Sequence, residues 1–127
     1  MKTIKGNLIL EKDTIFDDNL TVKGNIMGKD GKRFNLTVKG NLDCRNLDCG
    51  DLDCNNLNCG DLDCWDLNCN NLNCWDLNCN NLNCLNLNFY AIAIAHKSFK
   101  CKSWKAKRNN YIIKCLDGEI EIKKWKK

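Results

Sequence analysis

The 127-residue chain has no proline and one histidine, His96. Without proline every backbone N–H past the first residue can donate, which suits uninterrupted strand pairing. No apolar run approaches the roughly 18 residues of a membrane-spanning helix. The opening MKTIKGNLILEKD holds only the short apolar run Leu8 to Leu10, where a secretory signal needs about seven or more. The expectation is a cytoplasmic protein in a reducing compartment. None of the eleven cysteines stands in a C-x-x-C pair, the spacing that structural zinc and iron–sulfur sites use. Their odd number speaks against a complete disulfide framework. With no nucleophile–base pair, phosphate loop or carboxylate dyad, the chain is expected not to be an enzyme and to need no cofactor.

What the chain has instead is a repeat. The string WDLNCNNLNC occurs twice, back to back, over residues 65–84. Around it leucine recurs at Leu42, Leu47, Leu52, Leu57, Leu62, Leu67, Leu72, Leu77, Leu82 and Leu87. Cysteine follows two places later at Cys44, Cys49, Cys54, Cys59, Cys64, Cys69, Cys74, Cys79 and Cys84, and Phe89 takes the tenth place. Asp or Asn always stands between the two. Five residues advance a helix by about 500°, so a helical apolar stripe would smear. In an extended segment, residues two apart share a face. Leu and Cys therefore point inward as core, the Asp/Asn between them points outward, and two residues turn a corner. Short strands turned in a constant sense make a solenoid whose coils stack at about 4.8 Å.

The pattern runs on with Ile92 and Ile94, slips near His96 and Lys97, and resumes as Phe99–x–Cys101 and Trp104–x–Ala106. Upstream, NLTVKGNI (19–26) and NLTVKGNL (35–42) give Leu20–x–Val22 and Leu36–x–Val38, with a loop at GKDGKR (28–33). This reads as one all-β domain over 1–127: irregular coils over 1–41, regular repeats over 42–89, and basic coils with a cap over 90–127.

Residues 42–89 resemble a pentapeptide-repeat protein, with the two inward positions exchanged: large then small, rather than small then large. The resemblance implies a right-handed β-solenoid of four repeats per coil. On that basis the chain would make about six coils and a stack about 30 Å long.

The thiols are expected to be packing units, since free cysteine behaves as a small hydrophobe. The alternative is a soft-metal site for Cu(I) or Zn in columns formed by Cys44 to Cys84. Trp65, Trp75 and Leu85 share one corner position ten residues apart, and exposed tryptophan suggests an interface. On a four-repeat coil Trp65 and Leu85 would stack with Trp75 opposite; on a two-repeat coil all three would form one stripe. Residues 1–40 carry net charge +3, residues 41–90 carry −7, and residues 91–127 carry +8. The acidic middle admits a DNA-mimic reading, as in relatives that act on topoisomerases, and a possible protein partner on that face. The basic end alternates aromatic and lysine, which places the aromatics inward and makes nucleic acid a poor fit. The favoured expectation is a non-enzymatic structural or interaction protein that self-associates, as a dimer or filament, through its ends or its tryptophan face.

Overall fold

A computed structural model describes residues 2–122. It is a parallel β-solenoid of seven coils, each wound over three strand-bearing faces. Face 1 stacks Lys2–Ile4, Leu20–Val22, Leu42–Asp43, Asn56–Asn58, Asn71–Asn73, Asn86–Phe89 and Ser103–Ala106. Face 2 begins with Leu8–Leu10 and Ile26–Gly28 and ends with Ile112–Cys115; face 3 begins with Thr14–Phe16 and Leu36–Val38 and ends with Ile120–Ile122. Two long strands, Asp76–Asn83 and Ile92–Cys101, run through the corner and join faces 2 and 3. Every strand pairing is parallel, as continuous winding requires.

The registers count the coil. Leu42 pairs with Leu57, Leu57 with Leu72, and Leu72 with Leu87, a step of fifteen residues or three pentapeptides. The expected four repeats per coil is therefore corrected to three, and six coils to seven. Any whole number of units places leucine over leucine, so the five-residue pattern does not itself choose the coil. The irregular coils are longer: Lys2 pairs with Leu20, Leu20 with Leu42, and Leu87 with Trp104.

Between the faces the core is a single column. Leu20, Leu36 and each leucine from Leu42 to Leu87 at five-residue steps are buried, together with the nine ladder cysteines, Phe89, Phe99 and Cys101. No polar or charged residue is buried among the described residues. Burying one leucine is worth roughly 1.5–3 kcal/mol, so ten ladder leucines outweigh any surface pairing here.

The corners carry the asparagines. Along one corner Asn56, Asn71 and Asn86 each donate an Nδ2–H to the Oδ1 of the asparagine one coil below, at 3.0, 2.9 and 2.8 Å, the first to Asn41. Ser103 Oγ ends the run on Asn86 Oδ1 at 2.7 Å. In the early coils the same type of side chain accepts a backbone N–H instead, as Asn7 does from Asn25 at 2.8 Å and Asn19 from Asn41 at 2.8 Å. The Asp/Asn repeat thus satisfies corner backbone that would otherwise lack partners.

The loop after Ile26–Gly28 is a single 3₁₀ turn, Lys29–Gly31, with Asp30 and Gly31 in left-handed conformations. It lets the second coil accommodate extra residues without disturbing the column. The two NLTVKGN segments consequently lie on different faces of one coil, face 1 and face 3, rather than one above the other. At Gly24 a Cβ would stand 2.3 Å from Asn7 Oδ1 and 2.7 Å from the Gly6 carbonyl carbon. Gly24→Ala is expected to cost more than about 1 kcal/mol, since the backbone beneath cannot give way as a flexible side chain could. A urea titration showing no loss would contradict this packing.

Candidate functional site

Three features could carry function: the thiol columns, the outer faces with their corners, and the two ends. The thiols form three columns. Cys44, Cys59 and Cys74 lie under face 1, Cys49, Cys64 and Cys79 under face 2, and Cys54, Cys69, Cys84 and Cys101 under face 3. All ten are buried and all are free thiols; Cys115, in the last coil, is half-buried. Burial pushes Cys49, Cys54, Cys74 and Cys79 up from 9.0 to about 12, with neighbouring aspartates and thiols adding to the effect. Burial likewise raises Cys64 and Cys69, and Cys59 is raised first by its hydrogen bond with the Cys44 thiol and then by burial. Thiolate is both the nucleophile and the metal ligand, so neutral buried thiols are poor at either task. No group of three or more His, Cys, Asp or Glu side chains among the described residues is placed to hold a metal ion.

These columns behave chemically as small apolar packing. Cys64→Ala is expected to cost about 1–2 kcal/mol for the lost volume. Cys64→Ser should cost more, because a hydroxyl at that place is buried without a partner. Equal costs in a urea titration would contradict the packing account. A bulky thiol reagent should react quickly with Cys115 alone and with the other ten only on unfolding.

The aromatic corner residues do not form one surface. Trp65 lies on the corner column of Gly50 and Asn80, Trp75 on that of Gly60 and Tyr90, and Leu85 on that of Asn70 and Lys102. Ten residues are two thirds of a three-sided coil, so each step of ten moves to a different corner. The expected stack of Trp65 and Leu85, and the expected single stripe, are both corrected. Trp75 instead stacks on Tyr90 at 5.4 Å, with the Arg108 guanidinium 5.9 Å from the Tyr90 ring centre. Trp75 is 60% exposed and Trp65 44%.

The outward aspartates are likewise distributed. Asp43 is on face 1, Asp48 and Asp63 on face 2, and Asp53 on face 3; Asp51 and Asp61 sit at corners, Asp66 opens the face 3 strand Asp66–Asn68 and Asp76 opens the long strand Asp76–Asn83. Arg33, reaching from the 28–35 loop, pairs with Asp48 at 3.2 Å and Asp63 at 3.0 Å. Burial opposes the charge on Arg33, yet Asp63 and Asp48 hold its guanidinium above the ordinary arginine value. A groove of about 750 Å³ runs along face 2, with Met27, Ile94 and Leu116 as apolar lining and His96 and Lys114 toward one end. His96 is in the long strand Ile92–Cys101, at the register slip opposite Cys79 and Asn81, and its Nε2 is 2.8 Å from Asn78 Oδ1. The slip the sequence places near His96 and Lys97 is thus a bulge inside a strand rather than a loop.

The ends are the third feature, and sequence reasoning found them only in outline. Among the described residues, Lys2–Ile4, Leu8–Leu10 and Thr14–Phe16 each pair on one side only, with coil 2. Among the same residues, Ser103–Ala106, Ile112–Cys115 and Ile120–Ile122 each pair on one side only, with coil 6. Inward side chains at both ends, among them Ile4, Leu8, Phe16, Trp104, Ile113 and Ile120, are only partly buried against the core. No α-helix covers either end among the described residues, and none is long and apolar enough to cross a membrane. The terminal KKWKK segment lies outside the described residues. No family model, no curated protein and no solved structure matches the chain.

Proposed function

We propose that the chain is a non-enzymatic, pentapeptide-repeat-like structural protein that associates with copies of itself through the ends of its solenoid. The observation that carries this reading is the set of six edge strands that, among the described residues, have one unpaired side each. An open row of N–H and C=O groups is a template for another strand, and natural proteins cover, shorten or charge such edges when they are not used. Here Ile4, Leu8 and Phe16 of the first coil and Trp104, Ile113 and Ile120 of the last are left half-covered, so a second copy would complete an apolar column as well as a ladder. Seven ladder thiols, Cys49, Cys54, Cys59, Cys64, Cys69, Cys74 and Cys79, are held above the ordinary thiol value, and among the described residues the His96 ring bonds to the side chain of Asn78, which supports the non-enzymatic part. Scattering of the aspartates round the coil weighs against an acidic mimic of one DNA face.

The test is molar mass by light scattering across protein and salt concentrations. Mass rising with concentration, and falling as salt screens charge, is expected. A strict monomer at high protein concentration and low salt would end the proposal. Binding of that monomer to a DNA-processing enzyme would put the acidic-surface reading first.

A further inference from the structure

Resting on that self-association, we infer that the joint is polar: coil 1 of one copy seats on coil 7 of the next, head to tail. Cys44 N–H donates to Asn58 O at 3.1 Å, Cys59 N–H to Asn73 O at 3.0 Å, and Leu47 N–H to Asp61 O at 2.9 Å. Inward residues therefore aim their N–H groups at the following coil. By the alternation of a parallel strand, the outward residue between them aims its backbone groups at the preceding coil.

Applied to the ends, the rule gives each a different edge. In coil 1 the outward residues are Thr3, Ile9 and Ile15, and their backbone groups face the open head. In coil 7 the inward residues are Trp104, Ala106, Ile113, Cys115, Ile120 and Ile122, and theirs face the open tail. One group per face at the head meets two per face at the tail. That is the relation of Asn58 to Leu42 and Cys44 inside the molecule, so head on tail repeats an interior joint with all strands parallel.

Net charge separates the same two arrangements. Residues 2–18 hold three lysines and four acidic residues, net −1, and residues 102–122 hold five basic and three acidic residues, net +2. Head on tail opposes unlike charges. A two-fold stack opposes head to head and tail to tail, like on like, with strands antiparallel. A polar joint does not close on itself and propagates as a filament.

Two double variants block one end each. Ile9→Pro with Ile15→Pro removes donors at the head, and Ala106→Pro with Ile122→Pro removes donors at the tail. Edge strands accept proline where the N–H is unpaired. A folded carrier domain fused to one end or the other provides a second pair of blocked proteins with unchanged coils. Circular dichroism and thermal melting check the fold of each, and light scattering gives the mass alone and in a 1:1 mixture. The polar joint predicts that each blocked protein alone is monomeric, and that the mixture forms a heterodimer and stops there. If each blocked protein alone dimerises through its intact end, and mixing adds nothing, the joint is two-fold and polarity is overturned while self-association stands. If folded blocked proteins stay monomeric even when mixed, although the wild type assembles, end stacking is overturned altogether. A monomeric wild type overturns the underlying self-association instead.

Discussion

Under reducing conditions the protein should be fully stable up to about pH 9 and should unfold cooperatively before about pH 12. The cause is the set of thiols held at about 12 in the fold, Cys49, Cys54, Cys74 and Cys79, against an ordinary value of 9.0. Below 9 these thiols are neutral in both folded and unfolded chains, so burial incurs no ionisation penalty. Above 9 the unfolded chain releases protons that the folded chain still holds, and stability falls as pH rises. Each such thiol costs about 1.4 kcal/mol per pH unit, so four together cost roughly 5–6. A domain has only about 5–15 kcal/mol in all. The measurement is circular dichroism against pH, with thiolate absorbance recorded in parallel. The two should change together. Replacing the four cysteines with alanine lowers stability at neutral pH but should move the alkaline transition upward. An unchanged alkaline midpoint in that variant would contradict the assignment, because lysine and tyrosine titration would then explain the unfolding.

Leu72→Ala should cost about 2–5 kcal/mol, and Leu72→Asp should prevent folding. Leu72 lies at 1% exposure in the fifth coil, paired with Leu57 below and Leu87 above. Alanine leaves a cavity that the stacked leucines cannot close without tilting both neighbouring coils. Aspartate places a charge there with no partner. A solenoid is held coil to coil, so the same change at an end should matter less. Leu8→Ala, in the half-covered first coil, should cost well under the Leu72 value. Urea unfolding of the three variants checks the ranking. Equal losses at Leu8 and Leu72 would mean that coil 1 is covered in solution, which a stacked copy would also do. The comparison is therefore made at the lowest protein concentration that gives a signal.

The inward and outward assignment was legible because it rests on the two-residue period of an extended chain. Leucine and cysteine two apart share a face whatever shape the coil takes, and the burial of Leu42 to Leu87 and Cys44 to Cys84 follows the same alternation. The number of sides was not legible in leucine or cysteine, since both recur in every unit. It was present in the residue that opens each unit. Asn41, Asn56, Asn71 and Asn86 are identical at steps of fifteen, Asp51 matches Asp66 and Asp61 matches Asp76, with mismatches only at Asn46/Asp61 and Asp66/Asn81, whereas every step of twenty from Asn41 to Asn86 exchanges Asn and Asp. The identity at fifteen is the asparagine ladder of one corner, which needs amide over amide. The exact ten-residue duplication was the misleading signal. It reflects two successive units copied together, and on a three-sided coil it scatters Trp65, Trp75 and Leu85 over three corners. The Arg33 pairing with Asp48 and Asp63 was beyond sequence reasoning, because it depends on where the 28–35 loop folds back over face 2.

The cysteine spacing is set by a three-sided coil of packing thiols. A pair of histidines serves as a ruler for it. Asn58 and Asn73 are register partners on adjacent coils of face 1, whereas Asn78 lies on face 2 beside Asp63. Adjacent strands in register lie about 4.8 Å apart, close enough for two imidazoles to share one Ni²⁺. The Asn58→His/Asn73→His protein should gain melting temperature with added Ni²⁺, since a ligand of the folded state alone stabilises it. The Asn58→His/Asn78→His protein should gain none, provided both proteins also carry His96→Gln, because His96 Nε2 lies 2.8 Å from Asn78 Oδ1 and would itself pair with an imidazole at 78. A four-sided coil would place residue 78 over residue 58 and reverse the result, and that reversal would contradict the account.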